Sequence, residues 1–76
     1  MSELTFGQKA CGVSFNPGGR EDVDLIKRKF AEIVDLLNEH RSLDDASPEA
    51  KRMLSIAITD TQTAQMWAVK AVTWQS

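Results

Sequence analysis

Two stretches of this chain repeat apolar residues with helical period. From Arg20 to about His40, Val23, Ile26, Phe30, Ile33 and Leu37 recur at 3-4-3-4 spacing, which places them on one stripe. Leu25, Val34 and Leu36 lie off that stripe and give the same helix a second apolar face. From Ser47 onward, Leu54, Ala57, Thr61, Ala64, Ala68 and Ala71 repeat at 3-4-3-4-3 spacing, a line of small residues that permits close approach of two backbones. The bulk of this second helix (Met53, Ile58, Met66, Trp67, Val69, Trp74) lies elsewhere around its axis.

Start and stop signals frame these helices. Glu21, Asp22 and Asp24 suit the positive end of the first helix dipole. Leu43-Asp44-Asp45-Ala46 reads as a connector. Ser47-Pro48-Glu49 then supplies an N-cap, a proline at the first helical position and a first-turn acid. No Gly or Pro interrupts the run from there to roughly Trp74. A connector this short returns the second helix antiparallel to the first. The expected fold is all-α: an antiparallel two-helix hairpin over 20–76, preceded by an irregular arm over 1–19, in a single domain. All four glycines (Gly7, Gly12, Gly18, Gly19) fall in the arm. Within it, Leu4 to Ala10 is read as a turn of helix and Gly12 to Phe15 as extended.

Seventy-six residues bury little apolar surface, and two helices cannot cover apolar side chains on several faces within one copy. A homo-oligomer is therefore expected. The single cysteine, Cys11, has no intramolecular partner for a disulfide and reads as a buried, inert thiol. One Cys and one His do not make a tetrahedral metal set, so no metal is expected, and no cofactor. His40, the only histidine, falls near a helix end, where it complements terminal carbonyls, and no nucleophile–base pair stands out. The expectation is a protein with no catalytic residues. A formal net charge of −2 argues against a DNA or RNA binder with a broad basic face. No apolar stretch approaches the ~20 residues that span a bilayer, and no signal peptide is evident, so neither a membrane nor an export route is expected.

One segment carries candidate chemistry. Phe15-Asn16-Pro17-Gly18-Gly19 stands just before the first helix. It reads as an ordinary turn and helix start. It also carries the parts of a phosphate and base site: a ring, an amide, glycines that admit a ligand close to the backbone, and the positive end of a helix. Glu21, Asp22 and Asp24 count against an anion there. Lys27 follows about two turns later, roughly 12 Å along the axis, and a helical lysine points back towards the loop. Lys27-Arg28-Lys29 also reads as solvated charge paired with Asp24, Glu32 and Asp35. Phe6 and Phe15 are the arm's rings; each suits a core cap or a base platform. Trp67 and Trp74 read as packing residues.

With these residues in view, the chain resembles the phage nucleotide-sponge proteins, the small anti-CBASS and anti-Thoeris proteins that share a helical hairpin domain. The likeness rests on Phe6-Gly7-Gln8-Lys9-Ala10, Phe15-Asn16-Pro17-Gly18-Gly19, Ile26-Lys27 with Phe30 downstream, and Ala64-Gln65-Met66-Trp67-Ala68-Val69-Lys70-Ala71. It covers nearly the whole chain, and Met-Trp-Ala-Val-Lys-Ala is its clearest marker. The resemblance implies hairpin dimers assembled into homohexamers in the cytoplasm of an infected bacterial host. It implies intact sequestration of cyclic nucleotide immune messengers: cyclic dinucleotides such as cyclic GMP-AMP, cyclic trinucleotides, or cyclic ADP-ribose isomers. It also implies a pocket between protomers with a stacking aromatic from the arm and a lysine on phosphate. These roles carry onto Phe15, or Phe6 in its place, and onto Lys27. Arg20 and the backbone of Gly18 and Gly19, with Asn16, complete the expected ligand site. The alternative reading is a small helical interaction module that blocks a host protein through its apolar face.

Overall fold

The computed structural model describes residues 3–75. It is all-helical among the described residues: α1 (Phe6–Ala10), α2 (Glu21–Arg41) and α3 (Pro48–Val72). The hairpin lies within a residue or two of its expected bounds. At its open end the Arg20 guanidinium donates to the Val72 carbonyl at 3.1 Å; near the connector the Arg41 guanidinium donates to Ser55 Oγ at 3.2 Å. These two crossings fix α2 and α3 as antiparallel. The start of α3 follows from its residue types: Ser47 Oγ accepts from the Ala50 amide at 3.1 Å, and Pro48 opens the first turn.

The arm is more ordered than its glycines suggest. Thr5 and Gln8 form a reciprocal capping box on α1, with bonds of 3.0 and 2.9 Å. The segment expected to run extended from Gly12 to Phe15 is instead a turn. Gly12 takes φ +62° just past the α1 C-cap, the Gly12 amide donates to the Lys9 carbonyl at 3.2 Å, and the Val13 amide donates to the Gln8 carbonyl at 3.1 Å. This is the left-handed helix stop that glycine makes without strain. The extended reading of Gly12 to Phe15 loses to that local closure.

A short helix stays folded only when something holds it, and Asp35 of α2 holds α1. Asp35 Oδ1 accepts from the Gly7 amide and Asp35 Oδ2 from Thr5 Oγ1, both at 2.7 Å. Gly7 permits this docking: a Cβ there would collide with the Ala31 carbonyl oxygen and lie 2.8 Å from Asp35 Oδ1.

The core follows from that docking. Cys11 and Val13 of the arm pack with Ala31 and Val34 of α2 and Ile58 of α3, flanked by Ala10, Phe30 and Leu37. Val34, read as off the main stripe, is the fully buried side chain, whereas Ile33 on the expected stripe is 48% exposed. The inner line of α2 is Val23, Lys27, Ala31 and Val34. It is turned from the apolar stripe because α2 packs against the arm as well as α3, and α1 approaches closely only over small Ala31. On α3 the deepest residues are Ile58 and Gln65, and Ala64 and Ala71 of the small-residue line are exposed. Leu25, Leu36, Met53, Met66, Trp67 and Trp74 are each more than half exposed, as expected of a hairpin with more apolar surface than one copy covers. Trp67 and Trp74 frame a shallow hollow with Lys70, whose ammonium lies 5.4 Å from the Trp67 ring centre.

Candidate functional site

The arm, the start of α2 and the end of α3 enclose a pocket of about 500 Å³, a volume typical of small-molecule sites. One wall is the turn and loop from Gly12 to Gly18. Asn16 shapes it by binding both backbone groups of Arg20: its Nδ2 donates to the Arg20 carbonyl at 2.8 Å and its Oδ1 accepts from the Arg20 amide at 3.3 Å. The Gly19 amide donates to the Asn16 carbonyl at 2.9 Å, closing a turn with Pro17 second. Gly19 leaves that turn at φ +60°, a conformation other residues adopt only with strain.

Lys27 is the base of this wall. It is 7% exposed, and its Nζ donates to the carbonyls of Gly12, at 3.1 Å, and Phe15. Its ammonium also sits 5.5 Å from the Phe15 ring centre. The solvated reading of the basic run therefore holds for two residues of three. Arg28 pairs with Asp24 at 2.9 Å and Lys29 with Glu32 at 3.9 Å, while Lys27 points inward. Asp35, expected among the partners of this run, caps α1 instead.

Phe15, Asn16, Gly18, Arg20 and Lys27 all line the pocket. Gly19 shapes the turn without lining it, and Phe6 does not line it. Phe6 instead lies against Arg41, whose guanidinium carbon is 5.6 Å from its ring centre. Phe15 is 70% exposed at the mouth, with a face free to meet a planar ligand. Three cations, Lys9, Arg20 and Lys27, line the pocket, and no carboxylate does. The acids that count against an anion in the sequence thus point elsewhere. Asp22 is held by Arg20 through bonds of 3.0 and 2.6 Å, which lower its carboxyl below the usual range.

The opposite wall belongs to α3 and was not anticipated. Val69 and Met66 give it an apolar surface, with Val23 across from them. Gln62 donates to the Ala10 carbonyl at 3.4 Å, joining α3 to the end of α1. Gln65 is 5% exposed, lines the pocket, and has no hydrogen-bond partner among the described residues. No fully enclosed side-chain N or O among the described residues lacks a partner, so the Gln65 amide keeps its small exposure towards the cavity. The available signal was an amide on the line Leu54, Ile58, Thr61, Gln65, which the alanine stripe one residue away obscured.

Cys11 also lines the pocket but is 3% exposed. Burial pushes its thiol above the ordinary value, with the Asp35 charge adding and Lys27 partly offsetting. That matches an inert thiol. No helix among the described residues is long and apolar enough to cross a membrane.

Neither a curated protein nor a solved structure matches the chain. A family model does: that of the Acb2/Tad1 hairpin domain matches residues 8–73, which takes in α2, α3 and most of the arm. The chain therefore belongs to the Acb2/Tad1 hairpin-domain family, the phage cyclic-nucleotide sponges, a family of binding proteins.

Proposed function

We propose that this protein binds cyclic oligonucleotide immune second messengers and sequesters them intact, acting in the cytoplasm of a phage-infected bacterium. The observation that carries the reading is a family match joined to a pocket lined by three cations and no carboxylate. Phe15 stacks on a base at the mouth. Arg20, Lys27 and the Gly18 backbone hold phosphate, with Asn16 fixing the loop that presents them. The Gly19 turn aims that loop. Phe6 braces α1 against Arg41 and takes no ligand. Cyclic dinucleotides such as cyclic GMP-AMP are the first ligands to test, followed by cyclic trinucleotides and cyclic ADP-ribose isomers. Sequestration without chemistry is consistent with a site that holds no histidine and a thiol kept protonated by burial.

The exposed faces of α2 and α3 are assigned to copies of this chain, assembled as a homohexamer of hairpin dimers. Copies bring further cations to a site whose own Lys27 is already bonded to two carbonyls. The rival, an adaptor that blocks a host protein, uses the face bearing Met66, Trp67 and Trp74. Calorimetric titration with cyclic GMP-AMP, followed by heat denaturation and chromatography of the released ligand, tests the proposal. Saturable heat and intact nucleotide are expected. The absence of binding to every ligand class named above overturns it, and recovery of cleaved nucleotide makes the protein an enzyme.

A further inference from the structure

We propose that Gln65 is the base-reading residue of this pocket, and that it selects a purine edge presenting a donor beside an acceptor, as adenine does through its N6 amine and N7. The inference rests on the nucleotide-binding reading above and deepens it. Gln65 lies on the deep line of α3, on the far side of the pocket from the basic loop, and is 95% withdrawn from solvent. Lys9 is exposed, and the other polar neighbours have partners: Gln62 bonds Ala10, Lys27 bonds Gly12 and Phe15, Arg20 bonds Asp22 and Val72, and Asn16 bonds Arg20. Gln65 is the buried one with no partner among the described residues. An amide open only to the cavity is hydrated there when no ligand is bound, and it favours the fold less than a leucine on the same helix line. A ligand that displaces that water must complete the hydrogen bonds of the amide.

The surroundings narrow the ligand group. Val23, Met66 and Val69 flank the amide with hydrocarbon, while the cations lie towards the loop. A flat, apolar-faced group with hydrogen bonds along one edge fits beside Gln65; a phosphate does not. A carboxamide is one donor and one acceptor in a plane, and its bidentate complement is the N6/N7 edge of adenine. Gln62, the other carboxamide on this wall, has its Nε2 engaged by the Ala10 carbonyl.

The test compares wild type with Gln65→Leu, and with Gln65→Met as a second apolar variant of closer shape. Each is measured by thermal melting without ligand and by calorimetry against cyclic di-AMP and its 7-deaza analogue, which lacks the N7 acceptor. The apo melting temperature is expected to rise in both variants. Removing N7 is expected to cost about tenfold in affinity for wild type and less than about twofold for either variant, since the interaction it breaks is already gone. An equal loss on wild type and variants, or variants that bind cyclic di-AMP as tightly as wild type, overturns the assignment and leaves the nucleotide-binding reading standing. Wild type that binds no cyclic nucleotide overturns both.

Discussion

Two polar side chains, half-buried Asp35 on α2 and buried Gln65 on α3, are treated in opposite ways. At the α1–α2 junction, both oxygens of Asp35 are bonded at 2.7 Å, to the Gly7 amide and the Thr5 hydroxyl. On the α3 wall of the pocket, Gln65 is buried and bonded to nothing described. The first arrangement is closed and holds the arm in place. The second is open and waits for a complement. At these two positions, the polar group that holds the fold is satisfied within the chain and the one on the pocket wall is not.

The closed junction is where a single substitution costs the fold most. Gly7→Ala places a methyl against the Ala31 carbonyl oxygen and forces α1 off α2. A loss of about 3 kcal/mol is expected by urea unfolding, because the clash is with backbone that cannot rotate away. Asp35→Ala removes two hydrogen bonds to one carboxylate and should cost about 2 kcal/mol, read the same way. In both variants the pocket loses the wall that α1 and the Gly12 turn provide, so ligand affinity should fall together with arm protection in hydrogen exchange.

Lys27 stands between the two regimes. Its ammonium is bonded to Gly12 and Phe15, yet it lines the pocket. Lys27→Met keeps the buried stem and removes the charge. The apo protein should lose about 1 kcal/mol, while affinity for cyclic GMP-AMP falls at least about tenfold. A variant that unfolds easily but binds normally would place Lys27 wholly on the structural side.

The hairpin was legible because its signals are local. Ser47-Pro48 starts a helix by capping chemistry alone, and an uninterrupted run needs no tertiary information. The core stripe was off by one residue on each helix for a tertiary reason. Periodicity locates an apolar arc, but which edge faces inward depends on Gly7 docking over Ala31, and neither residue carries an apolar signal. The site was half legible. Phe15 to Gly18, Arg20 and Lys27 are near in sequence and meet in the pocket. Gln65 comes from a residue 45 or more positions later in the chain than that loop, and only the antiparallel return of α3 brings it there. Phe6 and Phe15 were equivalent as rings; the Schellman turn at Gly12 separates them, sending Phe15 to the mouth and leaving Phe6 against Arg41.

The smallest expected effect is alkaline. The Cys11 pKa is raised in the folded state by burial, so the unfolded thiol ionises first, from its ordinary value of 9.0. The stabilisation from keeping it neutral is complete below that pH and is lost as pH rises through the folded value. Melting curves should show a modest decline above pH 9 that Cys11→Ala abolishes, and alkylation of the native thiol should be slow at neutral pH.

The location of the ligand is tested most directly by measuring cyclic GMP-AMP affinity for Phe15→Ala beside Phe6→Ala. Phe15 is expected to carry the stack, so its removal should weaken binding about tenfold or more, while Phe6→Ala stays within about threefold. Unchanged affinity for Phe15→Ala with a large loss for Phe6→Ala would contradict a site between the arm loop and α3.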